Sequence, residues 1–184
     1  MAVHEAGHAL ANIVLKLGTI TTVTIDGLGG NGYVEGDMPD AQAQTEELAK
    51  ALLVSKLAGR AAEIEVLGCV TAGSGGSPNS DLAHATELAL SMETSLGFGS
   101  EWPLLYRPAG DRSSLLIYNP LMAERISARL EEAYAIARQL IRQNRRAIDL
   151  LARTLVDHDT LEGPELAAVI ARIENLRAAL PAQG

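Results

Sequence analysis

The 184 residues predict a mainly α-helical protein, an array of about five or six helices with one small two-stranded β-ribbon. Three observations carry that prediction. Hydrophobic residues make up 47% of the chain but aromatics only 3%, so Leu, Ile, Val and Ala must build the core. Apolar residues recur at three- and four-residue spacing through most of the sequence, the period of a helix with one buried face. Only Thr19 to Ile25 is β-branched and alternating, the pattern of a strand. With 21% charged residues the composition is ordinary for a globular protein and excludes a disordered or fibrous chain. The length suits a single domain over 1–184, with a frayed tail from about 178 to 184.

Ala6, Ala9, Leu10, Ile13, Val14 and Leu17 share one face of a first helix, Ala2 to Leu17, which stops at Gly18. After the strand Thr19 to Ile25 comes a glycine-rich turn, and Tyr33 to Glu35 can return as a second short strand. Two such strands make a ribbon without a core of its own. A helix follows from about Thr45 to Leu67, with Leu48, Leu52, Ala58, Ala61 and Ile64 inward and Gly68 as its terminator. Gly59 inside it costs about 1 kcal/mol relative to Ala, so close packing is expected there. Thr71 to Ser80 is small, polar and loop-like, and Asn79 or Ser80 caps a further helix from Asp81 to about Leu96. Gly97 to Ser114 is irregular. Asn119-Pro120, a cap followed by proline, opens the longest helix, whose stripe from Met122 to Leu155 runs to about Val156. Glu162 to Leu176 closes the chain as another helix.

Several function classes fall away on charge and hydropathy. Lys and Arg total 15 against 23 Asp and Glu, a net charge of -8, which suits no general nucleic-acid binder. Lys16 interrupts the best apolar stretch, Ala9 to Val23, so no membrane segment is expected. The single Cys69 excludes an internal disulfide and fits a reducing compartment. No signal-peptide pattern follows Met1, and a cytoplasmic location is expected.

The chemistry concentrates in the first helix, in His4-Glu5-Ala6-Gly7-His8, an H-E-x-x-H motif. Side chains four apart lie on one helix face, close enough for two imidazoles to hold one metal ion. Glu5 falls on the neighbouring face, where a carboxylate that binds no metal can take a proton from water. A catalytic zinc keeps three protein ligands and an open position, so a third ligand must come from elsewhere. His84, His158 and many carboxylates are available, and spacing does not choose among them. Asp81 is attractive because it opens a helix after a Gly-rich loop, although an acid there also simply complements the helix dipole.

His4-Glu5-Ala6-Gly7-His8-Ala9, Gly59-Arg60-Ala61-Ala62-Glu63 and Ser80-Asp81-Leu82-Ala83-His84-Ala85-Thr86 together resemble the peptidase domain of FtsH-type ATP-dependent zinc metalloproteases. Glu131-Glu132-Ala133-Tyr134 and Thr160-Leu161-Glu162-Gly163 resemble that family's last helices, so the likeness extends from His4 to about Ile170. The resemblance implies one Zn2+ per chain on His4, His8 and Asp81, with Glu5 as the catalytic glutamate. It implies a mainly helical endopeptidase that degrades unfolded or membrane-extracted proteins in a homo-oligomeric, six-fold ring. It also implies a substrate strand laid along the ribbon, at Thr21, Val23 and Ile25, where main-chain pairing tolerates many sequences. An AAA-type ATPase would feed the ring, in cis or in trans, from the cytoplasmic face of a membrane. This sequence has no G-x-x-x-x-G-K-[ST] phosphate loop, and Gly73-Ser74-Gly75-Gly76 lacks the following lysine. The alternative is an assembly module whose metal site is structural or idle; an intact Glu5 speaks for catalysis.

Other residues have plainer readings. His84 is a polar helix residue that could approach the site, and His158, between Asp157 and Asp159, is a surface residue. Cys69 after Gly68 suggests a buried thiol. Arg138, Arg142, Arg145 and Arg146 form a basic ridge, either a solvated face or a contact with a neighbouring subunit. Phe98, Trp102, Leu104 and Leu105 are either core filler or a hydrophobic subunit contact.

Overall fold

A computed structural model describes residues 1–27, 31–37, 45–107 and 116–178. Within them lie six helices of 14 to 24 residues and one three-stranded antiparallel sheet, so the mainly α class holds. The elements are α1 (Ala2–Leu15), β1 (Thr19–Thr24), β2 (Tyr33–Asp37), α2 (Glu46–Leu67), α3 (Asp81–Thr94), α4 (Pro120–Gln143), α5 (Arg145–His158), β3 (Thr160–Glu162) and α6 (Gly163–Ala178). The tail expected beyond Ala178 lies outside the described residues, as do parts of the turn after Gly27 and of the irregular stretch after Arg107. No described helix is long and apolar enough to cross a membrane.

Helix α1 ends earlier than Gly18 because Lys16 takes a left-handed conformation, φ 56°, and its N–H bonds the Asn12 carbonyl. The helix is buried along Ala6, Ala9, Leu10 and Ala11 and packs closely on α2. At that crossing a Cβ on Gly7 would come within 2.5 Å of the Ala58 carbonyl oxygen, so only glycine fits. Thr45 caps α2 by accepting the Leu48 N–H (3.2 Å), and Gly68 ends it at φ 75°. Of the inward face expected for α2, Ala58 and Ala61 are fully buried. Ala49, Leu53 and Leu57 fill the core, whereas Leu48, Leu52 and Ile64 are half-buried. The helix is enclosed by α1, α3 and α4 together, so no single stripe describes its burial.

The ribbon gains a third strand. β1 pairs antiparallel with β2 from Thr19↔Asp37 to Thr24↔Tyr33, and with β3 over Thr22↔Glu162 to Thr24↔Thr160. Thr160-Leu161-Glu162 is too short to show alternation, and only Leu161 is buried. It reaches β1 because Asp159, at φ 58°, turns the chain and accepts the Ile25 N–H at 2.9 Å. The long C-terminal helix also divides. Asn144 turns its backbone N–H onto both Leu140 and Ile141 carbonyls while its side-chain amide caps Leu140 at 2.8 Å. The break lets α5 fold Ile148, Leu151 and Leu155 onto α1.

Candidate metal centre

The expected cluster assembles from two helices. His4 and His8 project from one face of α1, and Asp81 comes from the first turn of α3. His4 Nε2 lies 2.9 Å from Asp81 Oδ2 and 3.1 Å from His8 Nε2, which is itself 3.3 Å from the same carboxylate oxygen. The other ring nitrogens are spoken for. His8 Nδ1 donates to the Ser55 carbonyl at 2.8 Å, and His4 Nδ1 donates to Glu63 Oε1 at 3.2 Å. With both protons held there, neutral rings turn two lone pairs and a carboxylate oxygen toward one point. Acceptors gathered in this way need a positive charge between them.

The donor set fits zinc. Two imidazole nitrogens and one carboxylate oxygen are ordinary zinc donors, and bonds of about 2.0–2.1 Å in a tetrahedron place neighbouring donors roughly 3.3 Å apart. The observed separations of 2.9, 3.1 and 3.3 Å lie at or slightly below that edge length. Carboxylate and carbonyl acceptors behind the imidazoles fix the ring orientation that a metal requires. Gly59 explains how the rings fit against α2: a Cβ there would lie 2.5 Å from His8 Nε2 and 2.6 Å from His4 Nε2. The close approach expected at this glycine is to the imidazoles themselves.

Arg60 and Glu63, one helical turn further on, place the loop that delivers Asp81. Glu63 accepts the Thr71 N–H at 2.8 Å and the Thr71 hydroxyl at 2.7 Å, and Arg60 donates to the Ser74 hydroxyl at 3.1 Å. Ser80 then caps α3 by accepting the Ala83 N–H at 3.3 Å. Burial raises the Glu63 carboxyl, but the Thr71 and His4 hydrogen bonds outweigh it and hold its pKa below the usual value. Sequence reasoning did not find the supporting role of Glu63. The available signal was a carboxylate four residues after Gly59 on a helix otherwise buried at that face.

Electrostatics separate Asp81 from Glu5. Burial pushes Asp81 up, yet when a proton rather than a metal sits on the Nε2 atoms, the hydrogen bonds from His4 and His8 win and hold it well below the carboxylate range. Burial would lower His8, but its hydrogen bond to Asp81 reverses the sign and raises it. Glu5 is buried, and that burial raises its carboxyl above the ordinary value despite the nearby imidazoles. Its side chain rests against Gly32, where a Cβ would sit 2.6 Å from Glu5 Oε1.

A cleft of about 860 Å³ opens onto these groups, lined by α1, α2, the loop leading into α3, the first turn of α3, and Gly32, Tyr33 and Val34. Thr21, Val23 and Ile25, the residues expected beside a substrate strand, lie on or just after β1. β1 is the middle strand, bonded to β2 and β3; Val23 is fully buried, and none of the three residues lines the cleft. The outer strand beside the cleft is β2. His84 lines the cleft at an exposed position, whereas His158 is exposed elsewhere and pairs with Glu165 at 3.1 Å. Cys69 is exposed rather than buried, because the left-handed Gly68 carries the chain away from α2 into solvent. In the arginine ridge, Arg138 and Arg142 both pair with Glu65, at 2.6 and 2.9 Å, and Arg145 pairs with Asp149 at 3.1 Å. Phe98 is half-buried against the core, while Trp102, Leu104 and Leu105 are exposed.

Comparison with known proteins places the chain among relatives of one kind. The model of peptidase family M41 matches residues 1–169. An ATP-dependent zinc metalloprotease FtsH from Chloroflexus aggregans is 31% identical over 96% of this chain and 29% of its own length. One from Acidothermus cellulolyticus is 32% identical over 94% of the chain and 28% of the relative. An ATP-dependent zinc metalloprotease FtsH 1 from Symbiobacterium thermophilum is 35% identical over 92% and 28% respectively. The chain thus spans under a third of the length of these relatives.

Proposed function

The chain belongs to peptidase family M41, and on that premise we propose a zinc-dependent endopeptidase acting on unfolded or membrane-extracted proteins. His4, His8 and Asp81 hold one zinc ion, and 1–184 forms a single peptidase domain. The observation that carries this reading is the convergence of two imidazole lone pairs and a carboxylate, with Glu5 beside them and bound to none. When bound, zinc supplies a Lewis acid for the scissile carbonyl and acidifies water toward a pKa of about 7.

Glu5 takes a proton from the attacking water and returns it to the departing amine. Burial suits it to both steps, since a carboxyl raised above its ordinary value binds the proton more readily and still releases it. Asp81 stays ionised and orients the imidazoles; Glu63 and the Ser55 carbonyl keep the Nδ1 protons away from the cleft. The free edge of β2 lays the substrate backbone across the cleft through main-chain hydrogen bonds. Because the relatives are named ATP-dependent, an ATPase, in cis or in trans, delivers the substrate to a homo-oligomeric ring at the cytoplasmic face of a membrane.

The test is Glu5→Gln, assayed on casein with zinc content measured in the same sample. Loss of cleavage by roughly 10²- to 10⁴-fold with zinc retained is expected. Full activity in that variant contradicts the role of Glu5, and zinc without cleavage in the unaltered protein favours an assembly module with an idle site.

A further inference from the structure

Along α2, Leu52, Lys56, Gly59 and Glu63 recur at helical spacing and form one stripe past the imidazole pair. Gly59 lies against both Nε2 atoms, and Glu63 holds His4. On the other side of Gly59, one turn back and roughly 4.5 Å along the axis, stands Lys56. With Leu52 it lines the cleft, half-buried. Among the described residues Lys56 makes no hydrogen bond or ion pair. The carboxylates of the cleft are engaged elsewhere: Asp81 with the imidazoles, Glu63 with His4 and Thr71, and Glu5 buried against Gly32. Lys56 therefore presents an uncompensated ammonium on an apolar stem to whatever occupies the cleft.

We propose that Lys56 selects peptides carrying an acidic side chain close to the scissile bond, a specificity that rests on the peptidase reading above. An extended peptide advances about 3.3 Å per residue with side chains alternating in direction. A strand crossing the cleft beside β2 thus turns alternate side chains toward α2. The one nearest the imidazole pair on the Leu52 side meets Lys56, and a carboxylate there gains a charge-assisted hydrogen bond with a partly desolvated cation. Leu52 beside it packs on the methylene stem of Asp or Glu.

The test uses the zinc-loaded full chain and end-blocked fluorescent peptides, so that a side chain supplies the only carboxylate. The peptides differ only in Glu, Gln or Lys within two residues of one cleavable bond. Binding is read by anisotropy in the Glu5→Gln background, and cleavage as kcat/KM with Glu5 intact. A Glu over Gln preference of about five- to tenfold is expected in both readouts, shrinking as salt rises. It should fall to about one in Lys56→Gln and reverse toward the Lys peptide in Lys56→Glu. Equal handling of Glu and Gln by the unaltered chain overturns the proposal, as does a preference that survives in Lys56→Glu. If either variant does not fold, the salt dependence on the unaltered chain still decides. Cleavage without preference sinks the role of Lys56 alone; preferential binding without any cleavage sinks the peptidase reading and leaves Lys56 its role.

Discussion

Two clusters of charged side chains lie within this molecule, one at the α1–α3 junction and one where α3 meets α4, and they are built on opposite principles. In the second, donors face acceptors. Glu93 pairs with Arg129 at 2.6 Å and Arg125 at 3.5 Å, Arg125 reaches Glu101 at 2.6 Å, and Arg129 reaches Glu46 at 3.3 Å. Arg129 also donates to the Phe98 carbonyl at 2.7 Å, tying down the loop after α3. Each of these arginines finds its carboxylates within the chain, although buried Arg125 Nε, 3.5 Å from Glu93, makes no hydrogen bond among the described residues. In the first, acceptors face acceptors, and His4, His8 and Asp81 balance only when a cation joins them. Burying charge is costly unless it is paired, so the unfinished cluster is the one built to bind something.

The largest expected effect separates binding from folding. Gly59→Ala places a methyl group 2.5 Å from His8 Nε2, so zinc affinity measured by competition with a chelator dye should fall by more than about 100-fold. Helix propensity favours Ala by about 1 kcal/mol, so the metal-free protein should not melt much lower. Unchanged zinc affinity would show that the rings do not bind where they now sit. Next comes Glu93→Ala, which strands two arginines and should cost about 3 kcal/mol in urea unfolding while leaving zinc content at one per chain. A loss of zinc in that variant would mean that the two clusters are not independent. Glu63→Gln acts more gently, weakening zinc affinity roughly 10- to 100-fold by loosening the support of His4. Arg145→Ala removes an exposed pair with Asp149 and should shift stability by less than about 1 kcal/mol; a larger loss would give the arginine ridge a structural role.

What the sequence revealed follows from the range of the forces involved. The H-E-x-x-H spacing is local, so placing His4 and His8 on one helix face needs only helical geometry. Asp81 lies 77 residues from His4, and resemblance rather than spacing singled it out. The supports differ: the Ser55 carbonyl is a backbone group with no residue signature, whereas Glu63 is marked only by its place four residues after Gly59 on a buried helix face. β3 and the break at Asn144 were missed because a three-residue strand and a single capping amide interrupt no hydrophobic period. The alternating pattern identifies β1 as a strand but does not tell which of its edges is already paired.

Zinc titration of the metal-stripped chain beside Asp81→Ala, followed by calorimetry and thermal melting, tests the proposed metal centre most directly. The unaltered chain should take up one ion per molecule and melt higher as zinc is added, since a ligand held only by the folded state stabilises it; Asp81→Ala should bind far more weakly and show little rise. Equal affinity in the two proteins, or no uptake by the unaltered chain, would contradict it.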